Sequence, residues 1–331
     1  MRNLFLILVV LTFACSCSSP GNRLMVDVTD VKIGEVTIHR YDRDLFRADR
    51  SDLRRSLELL KPRYPFFLNT DLADTVKLLA MTGYLENERN LVYARACDSV
   101  FGDMKAESRA LTEAFRHVVW YFPDFRVPRI YGYVSGGDFQ YPVQWADSVL
   151  LIGLDCYLGK DFWFYKSDQV PLYRVARTGR EFIVADAMNA VYAGLFPPDV
   201  PGSTLLEQML QAGKRTLFVD AMISEAPGYL KMSYTPEQFE WASKNEEHVW
   251  AAIIANNLLY NTSGQTMRTF LADGPFTAEF SKDSPPRLGE YIGWRILLRY
   301  LNRNPDVTLP ELLEERDSQK ILAGSKYKPA K

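Results

Sequence analysis

Beyond Pro171 the apolar residues of this chain recur at helical spacing almost to the C-terminus, and the strand-like stretches all lie before it. Strands gathered in one half and helices in the other predict an α+β fold, with a small N-terminal sheet and helices packed on a mainly helical C-terminal half. The segment 30–46, "DVKIGEVTIHRYDRDLF", alternates through Val31, Ile33, Val36 and Ile38 as a half-buried strand should. From Ser51 to His117 the spacing is helical, with Asn69 or Asp71 as the cap of "TVKLLAMTGYLE". "RIYGYVSGG" (129–137), stopped by Gly136 and Gly137, and "SVLLIGLDCYLG" (148–159) read as strands.

Two helices announce themselves locally. Thr235, Pro236 and Gln238 form a capping-box start, and in "LGEYIGWRILLRYL" the residues Tyr291, Trp294, Leu298 and Leu301 share one stripe that reads as core packing. No repeat, low-complexity run or long linker cuts the body. It is expected as a single globular domain over 27–318, with lobes near 27–165 and 166–318 and a charged, frayed tail at 319–331. With 331 residues, 47% of them hydrophobic, the chain can bury a sizeable core. Its 39 Lys and Arg balance 41 Asp and Glu, which gives no footprint for nucleic acid.

The N-terminus joins Arg2 to the apolar run "LFLILVVLTFA" (4–14), too short to span a bilayer and typical of an export signal. It ends in "ACSCSS", which resembles the bacterial lipobox. Cys15 and Cys17 both fit lipid attachment; Cys17 is preferred because Ala14 then stands three residues before it, and an ordinary cleaved signal is the plain alternative. A thioether lipid plus an amide-linked acyl chain (palmitate) would anchor the protein stably, with residues 18–26 as a flexible tether. Cys97 and Cys156 remain in the body. One disulfide is permitted there, but two small buried hydrophobes are the expectation.

Several chemistries lack support. There is no phosphate-cradling glycine loop, hence no nucleotide site, and Ser135 in "GYVSGG" has the wrong spacing for a nucleophile elbow. Only His39, His117 and His248 exist, on separate predicted elements, so neither metal nor cofactor is expected. Asp186 and Glu181 lie about 140° apart round a helix, not on one face. Glu207 reads as a helix-start acid that closes a capping box with Ser203 or Thr204.

The stretches "LDCYLGKDFWFY" (154–165), "EFIVADAMNAV" (181–191), "TLLEQMLQAGKRTLF" (204–218), "YTPEQFEWASKNEEHVW" (234–250) and "SPPRLGEYIGWRILLRYL" (284–301) carry a wider resemblance in their order and spacing. The chain resembles the gliding-motility-associated lipoprotein GldB family of Bacteroidetes-type bacteria. That family in turn resembles, distantly, zincin metallopeptidases with an H-E-x-x-H helix followed by a helix with an E-G-x-A pattern. Laid on this sequence, the metal-ligand positions fall at Ala185, Asn189 and Ala212, with Asp186 in place of the general base. Asn189 and Ala212 lie 23 residues apart, and a shift by one residue brings a His to neither helix position. The resemblance therefore implies a zincin-like scaffold with no metal and no activated water.

Two functions follow as expectations. The first is a non-catalytic envelope lipoprotein, a pseudoenzyme that binds envelope proteins of a motility or secretion system, or cell wall. The second is a metal-independent hydrolase using Asp186 and Glu207 as acid and base. "SSPGNRLMVDV" after the lipidated Cys has no acidic run, whereas surface-exported lipoproteins of such bacteria tend to carry one. The resemblance thus implies an outer-membrane anchor with the body facing the periplasm.

Overall fold

The computed structural model of the chain describes residues 23–146, 148–197 and 203–329. The expected export signal, Cys15, Cys17 and the start of the tether lie outside the described residues. The alternating stretch at 30–46 yields a strand of only three residues, β1 (Ile38–Arg40), followed at once by α1 (Tyr41–Phe46). This corrects the longer strand read from the alternation, and the cause is local. Val36 N donates to Thr112 Oγ1 at 3.0 Å and Ile38 N to Ser108 Oγ at 3.4 Å, so hydroxyls take the backbone donors that a second strand would have used.

Helices α2 (Leu53–Leu60), α3 (Pro65–Leu68), α4 (Thr75–Glu86), α5 (Glu88–Phe101) and α6 (Lys105–Tyr121) follow. The cap of α4 is Asp74, whose carboxylate accepts from Val76 N at 2.9 Å. Asn69 instead ends α3, and Asp71 accepts from Ala73 N in the turn between them.

β2 (Arg129–Tyr133), β3 (Val143–Ala146) and β4 (Val149–Gly153) complete a four-stranded sheet in the order β1-β2-β4-β3. β1 pairs β2 and β2 pairs β4 in parallel, with Ile130 opposite Leu150; β3 pairs β4 antiparallel. All five residues of β4 are buried. Leu150 and Ile152 enter the main core, while Val149 and Leu151 join Tyr41, Leu57, Tyr64, Leu85 and Tyr131 in a second cluster. Cover on both faces explains why "VLLIG" is a continuous apolar run.

The rest is helical: α7 (Phe164–Ser167), α8 (Leu172–Val175), α9 (Ile183–Leu195), α10 (Leu205–Met222), α11 (Gly228–Lys231), α12 (Pro236–Lys244), α13 (Glu246–Ala255), α14 (Gly264–Leu271), α15 (Leu288–Arg303), α16 (Leu309–Glu314) and α17 (Ser318–Ser325). The α+β class read from the sequence holds. Reciprocal capping boxes start α10 at Thr204 and Glu207 and α12 at Thr235 and Gln238. α10 and α15 meet backbone to backbone: a Cβ on Gly293 would stand 1.9 Å from Met209 O, and one on Gly213 2.4 Å from Gly293 C. Of the expected α15 stripe, Tyr291, Trp294 and Leu301 are buried and Leu298 packs against the same core.

The frayed tail is a second correction. Asp317 caps α17 by accepting from Lys320 N at 2.9 Å, Ile321 is buried in the main core, and Tyr327 Oη donates to Glu246 at 2.7 Å. Its charges face outward while its apolar residues pack inward, and a charge count alone misses that division. Cys97 and Cys156 are both free and buried.

Candidate functional site: a charged cavity beside α9

Along "IVADAMNAVYAGL" the residues Ile183, Ala185, Ala187, Met188 and Val191 are buried. Asp186 and Asn189 stand three apart, so they project from one side of α9. That side forms the wall of a cavity of about 280 Å³. Segments distant in sequence close it: the loop after β2 (Phe139, Gln140), α8 and the turn after it (Arg174, Arg177), α10 (Arg215), α11 and the turn after it (Lys231, Ser233), the turn after α14 (Asp273) and the start of α15 (Arg287, Glu290).

The Asp186 carboxylate accepts from Tyr157 Oη at 2.7 Å and Ser233 Oγ at 3.3 Å. Enclosure by protein atoms pushes this carboxyl above the usual range, with the two hydroxyl donors and the fields of Arg177 and Arg287 opposing. Across the cavity Arg287 is buried. It reaches Glu290 at 2.9 Å, the Met232 carbonyl at 2.8 Å and the Ser233 carbonyl at 3.3 Å. Glu290 also accepts from Arg215 and Thr216, both at 2.8 Å. Burial alone would raise the Glu290 pKa; the two arginines and Thr216 more than offset it and bring it down to about 2. Asp273 behaves alike. Burial pushes it up, but Arg177, at 2.9 Å, and Arg287 hold it below the usual carboxylate range. Cys156 also lines the cavity, and burial pushes its thiol well up, which removes thiolate chemistry near neutral pH.

Glu207, the other half of the expected acid and base pair, is not among the residues that line this cavity. Its carboxylate accepts from Thr204 N at 2.9 Å and Ser203 Oγ at 3.2 Å, bonds that hold its pKa below the usual value. The structure therefore does not gather Asp186 and Glu207 into one site. The three positions aligned with zincin ligands are also dispersed: Asn189 lines the charged cavity, Ala185 is buried and lines a separate groove, and Ala212 on α10 lines neither. Among the described residues no group of three or more His, Cys, Asp or Glu side chains is placed to hold a metal ion.

Sequence reasoning missed Tyr157, Arg177, Asp273, Arg287 and Glu290. One local signal was present. In "SPPRLGEYIGW" a cation and an acid stand three apart at the start of an otherwise apolar helix, the pattern of a buried ion pair.

Fold and cavity define an α+β protein with a polar, charge-lined cavity and, among the described residues, no helix long and apolar enough to cross a membrane. The chain belongs to the family described as gliding motility protein GldB, a lipoprotein family whose match runs over residues 21–329. It is accordingly a gliding-motility-associated lipoprotein, and the family points to lipid anchoring in the envelope and to a place among the motility system's envelope proteins. No curated protein and no solved structure matches it, and the zincin likeness gains no support.

Proposed function

We propose that the protein is a non-catalytic lipoprotein, anchored in the outer membrane and facing the periplasm, that binds envelope proteins of a motility or secretion system, or cell wall, through the cavity beside α9. One observation carries this reading. The polar groups of the cavity are held in place by ion pairs and by bonds to backbone carbonyls, as a preorganised recognition surface requires, and the other two carboxylates of its wall, Asp273 and Glu290, are engaged by arginines. A hydrolase using Asp186 and Glu207 has less in its favour, because Glu207 serves the cap of α10. Its remaining support is the raised pKa of Asp186, and perturbed carboxyls also occur in purely structural networks.

Pull-down of the lipidated protein from its own envelope should recover a reproducible partner set that Cys17→Ser, by releasing the anchor, depletes. Purified protein should leave peptides intact; cleavage that Asp186→Asn abolishes would overturn the non-catalytic reading. Protease added to whole cells should spare the protein, and its removal would sink the periplasmic orientation.

A further inference from the structure

The chemical group that the cavity receives can be read from its wall. Five cationic side chains, Arg174, Arg177, Arg215, Lys231 and Arg287, line it against three carboxylates, Asp186, Asp273 and Glu290. Most of that positive charge is engaged. Arg177 pairs with Asp273, Arg215 and Arg287 with Glu290, and Lys231 with Asp220 outside the wall at 2.7 Å. Arg174 is different: among the described residues it bonds only the Phe139 carbonyl and Tyr173 Oη, with no carboxylate at ion-pair distance. Arg287 is 9% exposed, and its Nε has no hydrogen-bond partner, the nearest carboxylate oxygen being Asp273 Oδ1 at 3.6 Å.

Backbone strain points to the same wall. Ser233 (φ 49°) and Arg287 (φ 55°) both occupy the left-handed region, which non-glycine residues rarely adopt, and the Arg287 guanidinium donates to the Ser233 carbonyl within that wall. Such residues cost on the order of 1–3 kcal/mol each and persist where the surroundings enforce them, often at ligand clamps.

We propose that the cavity takes the terminal carboxylate of a peptide chain, held between Arg174 and Arg287; this rests on the binding role proposed above. A carboxylate is planar and singly charged, and its two oxygens can each accept from one guanidinium, Arg287 through its unpartnered Nε and Arg174 from the other side. The three acids in the same wall oppose the second charge of a phosphate dianion. Phe139, Phe182 and Met232 supply an apolar patch for the last side chain, and the amides of Gln140 and Asn189 match the N–H and C=O of the last peptide bond. A volume of about 280 Å³ is at the small end for ligand pockets and suits an end group, not a chain passing through. Protein tails and cell-wall stem peptides share this chemistry and differ in the handedness of the last residue.

Calorimetric titration of the full lipoprotein in detergent separates the cases. The probes are acetylated tripeptides ending in L-Ala or D-Ala, each as free acid and as amide, with inorganic phosphate as competitor. At least one free acid should bind tenfold or more tighter than its amide, and the preferred handedness names the source. Arg174→Gln, at the partly exposed rim, should weaken the acid at least tenfold with an unchanged melting temperature, and Asn189→Asp should do the same by adding a negative charge. Equal affinity for acid and amide, tighter binding of phosphate, or no binding of any peptide would overturn the proposal. The envelope pull-down is independent of it. Partners captured while every peptide fails would leave the binding role standing and remove the carboxylate; peptides that bind while no partner is captured would keep the carboxylate and remove envelope proteins from the binding role.

Discussion

Helix α9 has a charged cavity on one side and a larger, partly apolar groove on another, and the two are built differently. Asp186 and Asn189 face the charged cavity, whose side chains are tied to one another by ion pairs and hydrogen bonds. Val184 and Ala185 face the groove, about 850 Å³, where Met25, Val28, Ala110, Ala114 and Met222 also line the walls. In the first surface the charges pair with one another across the wall; in the second, small residues, alanines above all, stand beside charges such as the Arg180–Glu107 pair. One helix can thus carry a rigid polar wall and an open apolar one, because Asp186 and Asn189 share a helical face.

The largest effect should come from breaking the tied side. Arg287→Leu takes from Glu290, which keeps Arg215 and Thr216, and from Asp273, which keeps Arg177, one of two arginine partners each, and removing one member of a buried ion pair costs up to about 3–5 kcal/mol. Denaturant unfolding measures it; a loss under about 1 kcal/mol would mean that ion pairs do not hold this wall. Acid probes the same network. The folded-state pKa of Glu290 lies below its unfolded value, so its contribution is present above about pH 4.5 and is lost as pH falls through about 2. The loss is on the order of 3 kcal/mol, and stability curves of Glu290→Gln should lack that segment of slope. On the groove side the test is bulk. Ala185→Phe is expected to cost about 1–3 kcal/mol by overpacking while leaving peptide binding intact; a stabilised variant would show that the open space reaches this Cβ. Smallest should be Tyr157→Phe, which removes one donor from Asp186 and costs about 1 kcal/mol in thermal or chemical unfolding.

What was legible in the sequence was local. The boxes at Thr204 and Thr235, the apolar run of β4 and the stripe on α15 each rest on residues a few positions apart, and each appears in the fold. The strand at 30–46 and the tail at 319–331 were misjudged because tertiary partners decided them: the hydroxyls of α6 in one case, the core around Ile321 in the other. The candidate site divides the same way. Asp186 and Asn189 stand out in the sequence as polar residues three apart in an apolar helix. Arg177 meets Asp273 across 96 residues, and no pattern along one stretch of chain reports such a meeting.

Arg23, the first residue described, grips the far end of the molecule: its guanidinium donates to the carbonyls of Leu301, Asn304, Pro305 and Val307, where α15 ends. In a protein tethered by its N-terminus, tension from the membrane enters the body at that clamp. The clamp joins the start of the described residues to the carbonyl end of the helix that crosses α10 at Gly293, so a pull on the N-terminus would load several bonds at once. Were the chain held by a lipid at its N-terminus as proposed, the same clamp would make Arg23 a fixed point of the fold and so set the direction in which the charged cavity faces.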